Sequence, residues 1–81
     1  MAELNGTAQP ISAGKHLVVV ELNGGTAKLE IKVDELDFQD VLNTTGAALF
    51  PADAQEIFTF CQCQLKATLT GNAKVSINKV N

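Results

Sequence analysis

The chain has 81 residues, a net charge of −3 and a hydrophobic fraction of 46%, which together fit one small domain with a thin core. All six cations are lysines, and the absence of arginine together with the acidic balance argues against nucleic-acid binding. The longest purely apolar run, residues 17–20, is far shorter than a membrane span, and residues 1–9 lack the pattern of a signal peptide. We therefore expect a soluble protein that is made in a cytoplasm and binds neither nucleic acid nor membrane.

The first 14 residues are rich in small and polar side chains and show little periodicity. This composition predicts an extended N-terminal arm over residues 1–14, followed by a single β domain over residues 15–81. Such an arm either frays or reaches onto a neighbouring subunit.

Two runs that favour β structure, residues 16–22 and 26–33, flank Asn23, Gly24 and Gly25. Glycine reaches the positive φ that tight turns require, so this break predicts a β-hairpin with a two-residue turn at Gly24 and Gly25. The predicted register sets four pairs opposite each other: Leu22 with Ala27, Val20 with Leu29, Val18 with Ile31, and Glu21 with Lys28.

The middle of the chain is harder to assign. Residues 34–43 fit either a short helix with an acidic first turn or a strand, and the β character of both flanks favours the strand. Pro51 predicts that Leu49 and Phe50 end a short edge strand, because the residue before a proline prefers extended backbone. Asp53 is a suitable cap for a single helical turn that reaches Glu56.

From residue 61 to residue 69, apolar and polar side chains alternate, and the alternation resumes at residues 73–78. This period of two predicts two strands, each with one inward and one wet face. A three-residue loop over residues 70–72 joins them as a closing hairpin with matched inward pairs. These pairs are Leu69 with Ala73, Ala67 with Val75, and Leu65 with Ile77.

Cys61 and Cys63 belong to the same alternation and are expected side by side on the inward face. Their Cα atoms on a strand would be about 6.5 to 7 Å apart, at the edge of what a disulfide tolerates. A structural zinc needs four ligands, and only His16 could join the two thiolates. We expect two reduced, buried, metal-free thiols.

The two hairpins and the middle region add up to five or six strands without a crossover helix. The predicted fold class is therefore all-β, a small antiparallel β-sandwich or barrel with an extended N-terminal arm.

Few side chains in the sequence are candidates for catalysis or for metal binding. His16 opens a strand beside Lys15 and is expected at the surface, and neither serine stands in a nucleophile motif. A cluster of carboxylates lacks the spacing and glycine of a calcium loop and is expected as a solvated acidic edge. Its members are Asp34, Glu35, Asp37 and Asp40. We predict no catalytic, cofactor-binding or metal site, and a protein that is not an enzyme.

Three segments resemble small proteins encoded among the head and tail genes of tailed bacteriophages. They are VVVELNGGTAKLEIKV, the aromatic-containing middle that ends in Asn-Thr-Thr-Gly at residues 43–46, and the closing CQLKATLTGNAKVSINKV. The resemblance is one of element order over about two thirds of the chain and carries no site residue across. It implies a virion-associated β module, either a head-decoration (cement) protein or a fibre or neck component.

Two hypotheses follow. In the first, the protein is a homo-oligomeric decoration protein on the capsid surface, which binds the major capsid protein through its arm and one sheet face. In the second, it is a small carbohydrate-binding β module such as a fibre tip carries. The lack of Trp and Tyr, which commonly stack against sugar rings, argues against the second hypothesis.

Overall fold

The structure, a computed structural model, describes residues 2–80, so residues 1 and 81 of the expected arm and domain lie outside it. Residues 2–80 form eight strands and no helix, which confirms the all-β prediction but exceeds the expected five or six strands. The strands are β1 (Ala2–Leu4), β2 (Gln9–Ile11), β3 (Gly14–Glu21), β4 (Thr26–Lys32), β5 (Gln39–Val41), β6 (Ala54–Phe60), β7 (Cys63–Thr70) and β8 (Lys74–Val80).

The strands make two antiparallel four-stranded sheets packed as a sandwich. Sheet A has the order β1-β8-β3-β6, and sheet B has the order β2-β7-β4-β5. The chain changes sheet after every strand except between β4 and β5, which pair as neighbours. This interleaved order of eight strands in two sheets is a jelly roll.

The predicted hairpin at Gly24 and Gly25 is wrong, although both of its strands exist. β3 pairs with β6 and β8 in sheet A, whereas β4 pairs with β5 and β7 in sheet B. The turn is therefore an arch that crosses from one sheet to the other. Glu21 lies beside Lys74 instead of Lys28.

The closing hairpin fails in the same way, because β7 belongs to sheet B and β8 to sheet A. Its loop is a second arch, and the two arches pack against each other. A Cβ atom added to Gly25 would lie 1.9 Å from the carbonyl oxygen of Thr70. The hydroxyls of Thr26 and Thr70 are 2.6 Å apart, and the Asn23 amide donates to the carbonyl oxygen of Asn72. Glycine at position 25 is thus required by the close approach of two backbones.

The expected N-terminal arm is also wrong for the described residues. β1 pairs with β8, and β2 pairs with β7, so residues 2–11 supply one strand to each sheet. Leu4 is 1% exposed and Ile11 is 8% exposed. Residues 2–14 belong to the β domain because these two apolar side chains complete its core.

In the middle segment, the favoured strand is confirmed only for residues 39–41, which form β5. The backbone turns before it, with Asp34 at a φ of 55° and Leu36 donating its amide hydrogen to the carbonyl of Val33. Leu49 makes one isolated bridge to Lys28 instead of ending a strand. The helical turn after Asp53 is absent, since β6 begins at the next residue.

One hydrophobic core fills the space between the sheets. Its most deeply buried large side chains come from both sheets, and one of them belongs to β1. They are Leu4, Leu29, Leu65, Val18, Val20 and Val75. The alternation in β3, β4, β7 and β8 directs five of these residues, all except Leu4 of β1, inward, so the opposite side chains of the same strands form the two outer faces of the sandwich.

Candidate interaction surface

On β8, β3 and β6, the two central rows of the outer face of sheet A are neutral, and on β1 the exposed Glu3 lies beside Ser76 at the end of the first row. One row joins Ser76, Val19 and Gln55 across β8, β3 and β6. The next row joins Asn78, Leu17 and Ile57 across the same strands. We call these six residues the neutral face. Ionisable residues, among them Glu3, Lys15, Glu21 and Lys74, stand only at its margins.

Apolar groups occupy the middle of the neutral face. Ile57 is 62% exposed, and Leu17 and Val19 are half-buried in the central strand β3. Residues 17–20 are apolar at every position, so β3 presents apolar side chains both to the core and to the outside. Strands with this pattern are typically covered on both faces. In this molecule the core covers only one of them.

Polar side chains on the neutral face are not connected to one another. Within residues 2–80, no side-chain hydrogen bond joins two members of this face. The amides of Gln55 and Asn78 and the hydroxyl of Ser76 therefore remain available to a partner.

The outer face of sheet B has the opposite character. One row joins Lys66, Glu30 and Asp40, and the flanking rows add Lys28, Lys32 and Thr68. We call these six residues the charged face. Lys28 forms an ion pair with Asp40 at 3.2 Å, and the hydroxyl of Thr68 donates to the Glu30 carboxylate. The Lys66 ammonium lies 4.2 Å from the centre of the Phe38 ring.

An open groove of about 830 Å³ lies at one end of the sandwich. Its lining includes Ser12, Lys32, Asp34, Gln62 and Gln64 and contains no aromatic side chain. The groove therefore offers hydrogen-bonding groups but no ring on which a sugar could stack.

His16 is a core residue, so its expected place at the surface is wrong. It is 4% exposed, and its Nδ1 lies 3.2 Å from the carbonyl oxygen of Gly14, which accepts the hydrogen bond. The imidazole ring packs on Phe60 with 5.8 Å between the ring centres. Position 16 precedes the inward residues Val18 and Val20 by the same period of two, and this signal could have placed it correctly.

The two cysteines are unbonded, but only one of them is buried. Cys63 begins β7 and is 7% exposed, whereas Cys61 lies in the turn before it and is exposed. The inward position expected for Cys61 is wrong because the strand starts two residues later than the alternation indicates. Burial, followed by the neighbouring Cys61, raises the pKa of the Cys63 thiol.

The carboxylates of the middle segment do not gather into one site. Asp34, Glu35 and Asp37 are exposed in the loop between β4 and β5, and Asp40 pairs with Lys28. Across residues 2–80, no group of three or more His, Cys, Asp or Glu side chains has a geometry that could hold a metal ion.

Residues 2–80 contain no helix that is long and apolar enough to span a bilayer. Comparisons of the chain with models of protein families, with curated proteins and with solved structures give no match. The resemblance to virion proteins of tailed phages therefore stays a prediction.

Proposed function

We propose that this protein is a non-enzymatic structural component of a virion, a decoration (cement) protein that binds the major capsid lattice through its neutral face. The observation that carries the proposal is the composition of that face, whose six residues are uncharged and whose centre is apolar, with Glu3 at its β1 margin. The jelly-roll order adds support, because viral capsid domains and lectins are among the proteins built on it.

A neutral face suits docking on a protein shell for a physical reason. Covering it removes apolar side chains from water and requires no charge to lose its hydration. The cores of protein interfaces are depleted in charged residues in the same way. The charged face would be the costlier one to bury, since its ion pairs would lose solvent.

The size of the face predicts how it is used. The whole outer face of sheet A, its charged margins included, has four strands about 4.8 Å apart and about 23 Å long and covers at most roughly 440 Å², so the neutral face within it is smaller. A standard interface buries about 800 Å² on each partner, so one copy alone binds weakly. Repetition over a lattice, with copies linked to each other, raises the effective concentration of every contact. No free N-terminal arm takes part in this attachment, because β1 and β2 are built into the two sheets.

The second candidate is a fibre or neck component, or a carbohydrate-binding module that uses the groove at the end of the sandwich. The polar lining of the groove, with Gln62 and Gln64, is the observation that favours it. The absence of an aromatic platform in that lining makes the capsid proposal the stronger one.

Co-expression with the major capsid protein encoded nearest to this chain tests the proposal. We expect the protein to sediment with assembled shells, to saturate at a fixed ratio to the capsid subunit, and to stay bound at 1 M salt. Salt resistance is expected because surface charge pairs are screened within about 3 Å at that ionic strength, whereas apolar contacts are not. Shells that carry none of the protein would contradict the proposal. Binding to a glycan array by the isolated protein would favour the second candidate.

A further inference from the structure

The four edge strands of the sandwich differ sharply in length. β1, β2 and β5 have three residues each, and β6 has seven. Natural sheets protect their edges with short strands, prolines, lysines or bulges, because an unpaired edge is a template for another strand. β2 contains Pro10, and β5 carries Asp40 in an ion pair with Lys28. Three of the four edges therefore have such protection.

β6 has only one such device, the charged side chain of Glu56, which is bound to Thr44 of its own chain. Its sequence, AQEIFTF, contains no proline and no lysine, and it pairs with β3 residue for residue without a bulge. Within residues 2–80, its backbone makes no hydrogen bond other than those to β3. Its free edge is thus a row of unpaired backbone donors and acceptors about 23 Å long, beside the 62% exposed side chain of Ile57.

We propose that a second copy of this chain pairs with β6 through its own β6, antiparallel and across a two-fold axis at Ile57. The two copies of sheet A then form one continuous eight-stranded sheet. The axis is perpendicular to the sheet, so Ile57 lies opposite Ile57 of the partner copy on the neutral side. On the same side, Gln55 of each copy lies opposite Thr59 of the other.

A second copy fits this edge better than an unrelated strand because β6 is self-complementary. No two like charges lie directly opposite each other in this register, since the only ionisable residue of β6 is Glu56. Its carboxylate is already held in its own chain, where it accepts hydrogen bonds from the backbone amide and the hydroxyl of Thr44. The two-fold arrangement is the usual one for a surface that binds a copy of itself.

The area of the contact sets the strength of the dimer. A side wall about 23 Å long and about 20 Å thick buries roughly 460 Å² on each copy. The total of roughly 900 Å² lies at the low end for specific complexes. We therefore expect a dimer that forms reversibly and depends on concentration.

Dimerisation through β6 joins the two neutral faces side by side on one surface. The two outer faces of sheet A together cover at most roughly 900 Å², so dimerisation doubles the neutral area offered to one partner and brings the surface towards the standard size. This last consequence depends on the proposed capsid function. The dimer itself does not, and it is measured on the purified protein without shells.

Analytical ultracentrifugation of the purified full chain in reductant, over a wide concentration range, tests the dimer. We expect wild-type protein to pass from monomer to dimer as the concentration rises. Ile57→Lys places two like charges opposite each other at the axis and should weaken association at least tenfold. Ser76→Lys, on the neutral face but away from the edge, is the matched control and should dimerise as wild type does.

A mixture of two variants separates edge pairing from a general loss of apolar surface. Ile57→Lys and Ile57→Glu should each be monomeric, and their equimolar mixture should recover the dimer because opposite charges then face each other at the axis. Wild-type protein that stays monomeric at millimolar concentration would overturn the proposal. Disruption by Ser76→Lys but not by Ile57→Lys would also overturn it, since the faces would then be the contact.

Discussion

The two outer faces of this sandwich differ in how their polar side chains are bonded. On the charged face, side chains satisfy one another: Lys28 pairs with Asp40, and Thr68 donates to Glu30. On the neutral face, within residues 2–80, no side-chain hydrogen bond joins the polar groups, which flank the apolar side chains at its centre. Both faces belong to four-stranded sheets of one small domain, so neither size nor fold accounts for the difference. Under the proposed function, sheet B faces solvent and sheet A faces the partner.

The two faces also differ in the cross-strand contacts that their side chains make. Cross-strand pairs such as those of the charged face contribute about 0.2 to 1 kcal/mol each when water surrounds them. The neutral face lacks such charged cross-strand pairs and exposes the apolar side chain of Ile57. Exposed apolar patches with a polar rim commonly mark a surface that binds another protein.

The largest effect we predict comes from the core that holds the two faces apart. Leu65 is 0% exposed at the centre of β7, so Leu65→Ala should lower the free energy of unfolding by about 2 to 5 kcal/mol. Leu36→Ala is the matched control, because Leu36 is 66% exposed and should change stability by less than about 0.5 kcal/mol. Urea denaturation measures both, and equal effects would contradict the assigned core.

The next effect concerns the paired arches that make the chain cross between the faces. Gly25→Ala drives a methyl group into the Thr70 carbonyl oxygen and should cost about 1 to 3 kcal/mol. Gly6→Ala serves as control, since a Cβ atom there meets nothing within 4 Å. If the turn at Gly25 were a hairpin remote from Thr70, the two variants would unfold at similar urea concentrations.

A pH effect should distinguish Cys63, which begins β7, from Cys61 in the turn before it. The pKa of Cys63 is raised in the folded protein, so the folded chain keeps a proton that the unfolded chain releases above the ordinary thiol pKa. The stability contributed by this group is complete below that pKa and is lost as the pH rises through the folded value. Cys63→Ala should flatten this dependence, and Cys61→Ser should largely retain it. An unchanged slope in Cys63→Ala would refute the assignment.

The smallest effect is expected on the charged face. Asp40→Asn removes the ion pair with Lys28 and should cost about 0.2 to 1 kcal/mol at low salt, with the difference vanishing at 1 M salt. Asp37→Asn, at an exposed loop residue with no ion pair within residues 2–80, should leave stability unchanged. A loss that persists at high salt would show that the pair has a structural role.

The sequence predicts much of this fold because period-two alternation identifies strands and their inward faces. It identified β3, β4 and β8, as well as β7 apart from its start, and most of their buried residues. Alternation cannot tell whether two inward faces lie side by side in one sheet or opposite each other across a core. Both predicted hairpins failed on that point, since Val18 and Leu29 are inward in either arrangement.

Other features of the structure could not be predicted from the sequence. β1 and β2 are only three residues long and contribute one core residue each, Leu4 and Ile11, so no periodicity could reveal them. The neutral face was detectable in part, because apolar residues at all of positions 17–20 indicate a strand covered on both sides. Which residues of β6 and β8 flank that strand depends on long-range pairing, which the sequence does not contain.

The most direct test of the contrast is the attachment of matched lysine variants to capsid shells. Val19→Lys lies at the centre of the neutral face, and Thr68→Lys lies on the charged face. We predict that Val19→Lys weakens co-sedimentation with shells at least tenfold while the protein stays folded by circular dichroism, and that Thr68→Lys binds as wild type does. Equal binding by the two variants, or loss of binding only with Thr68→Lys, would contradict the account.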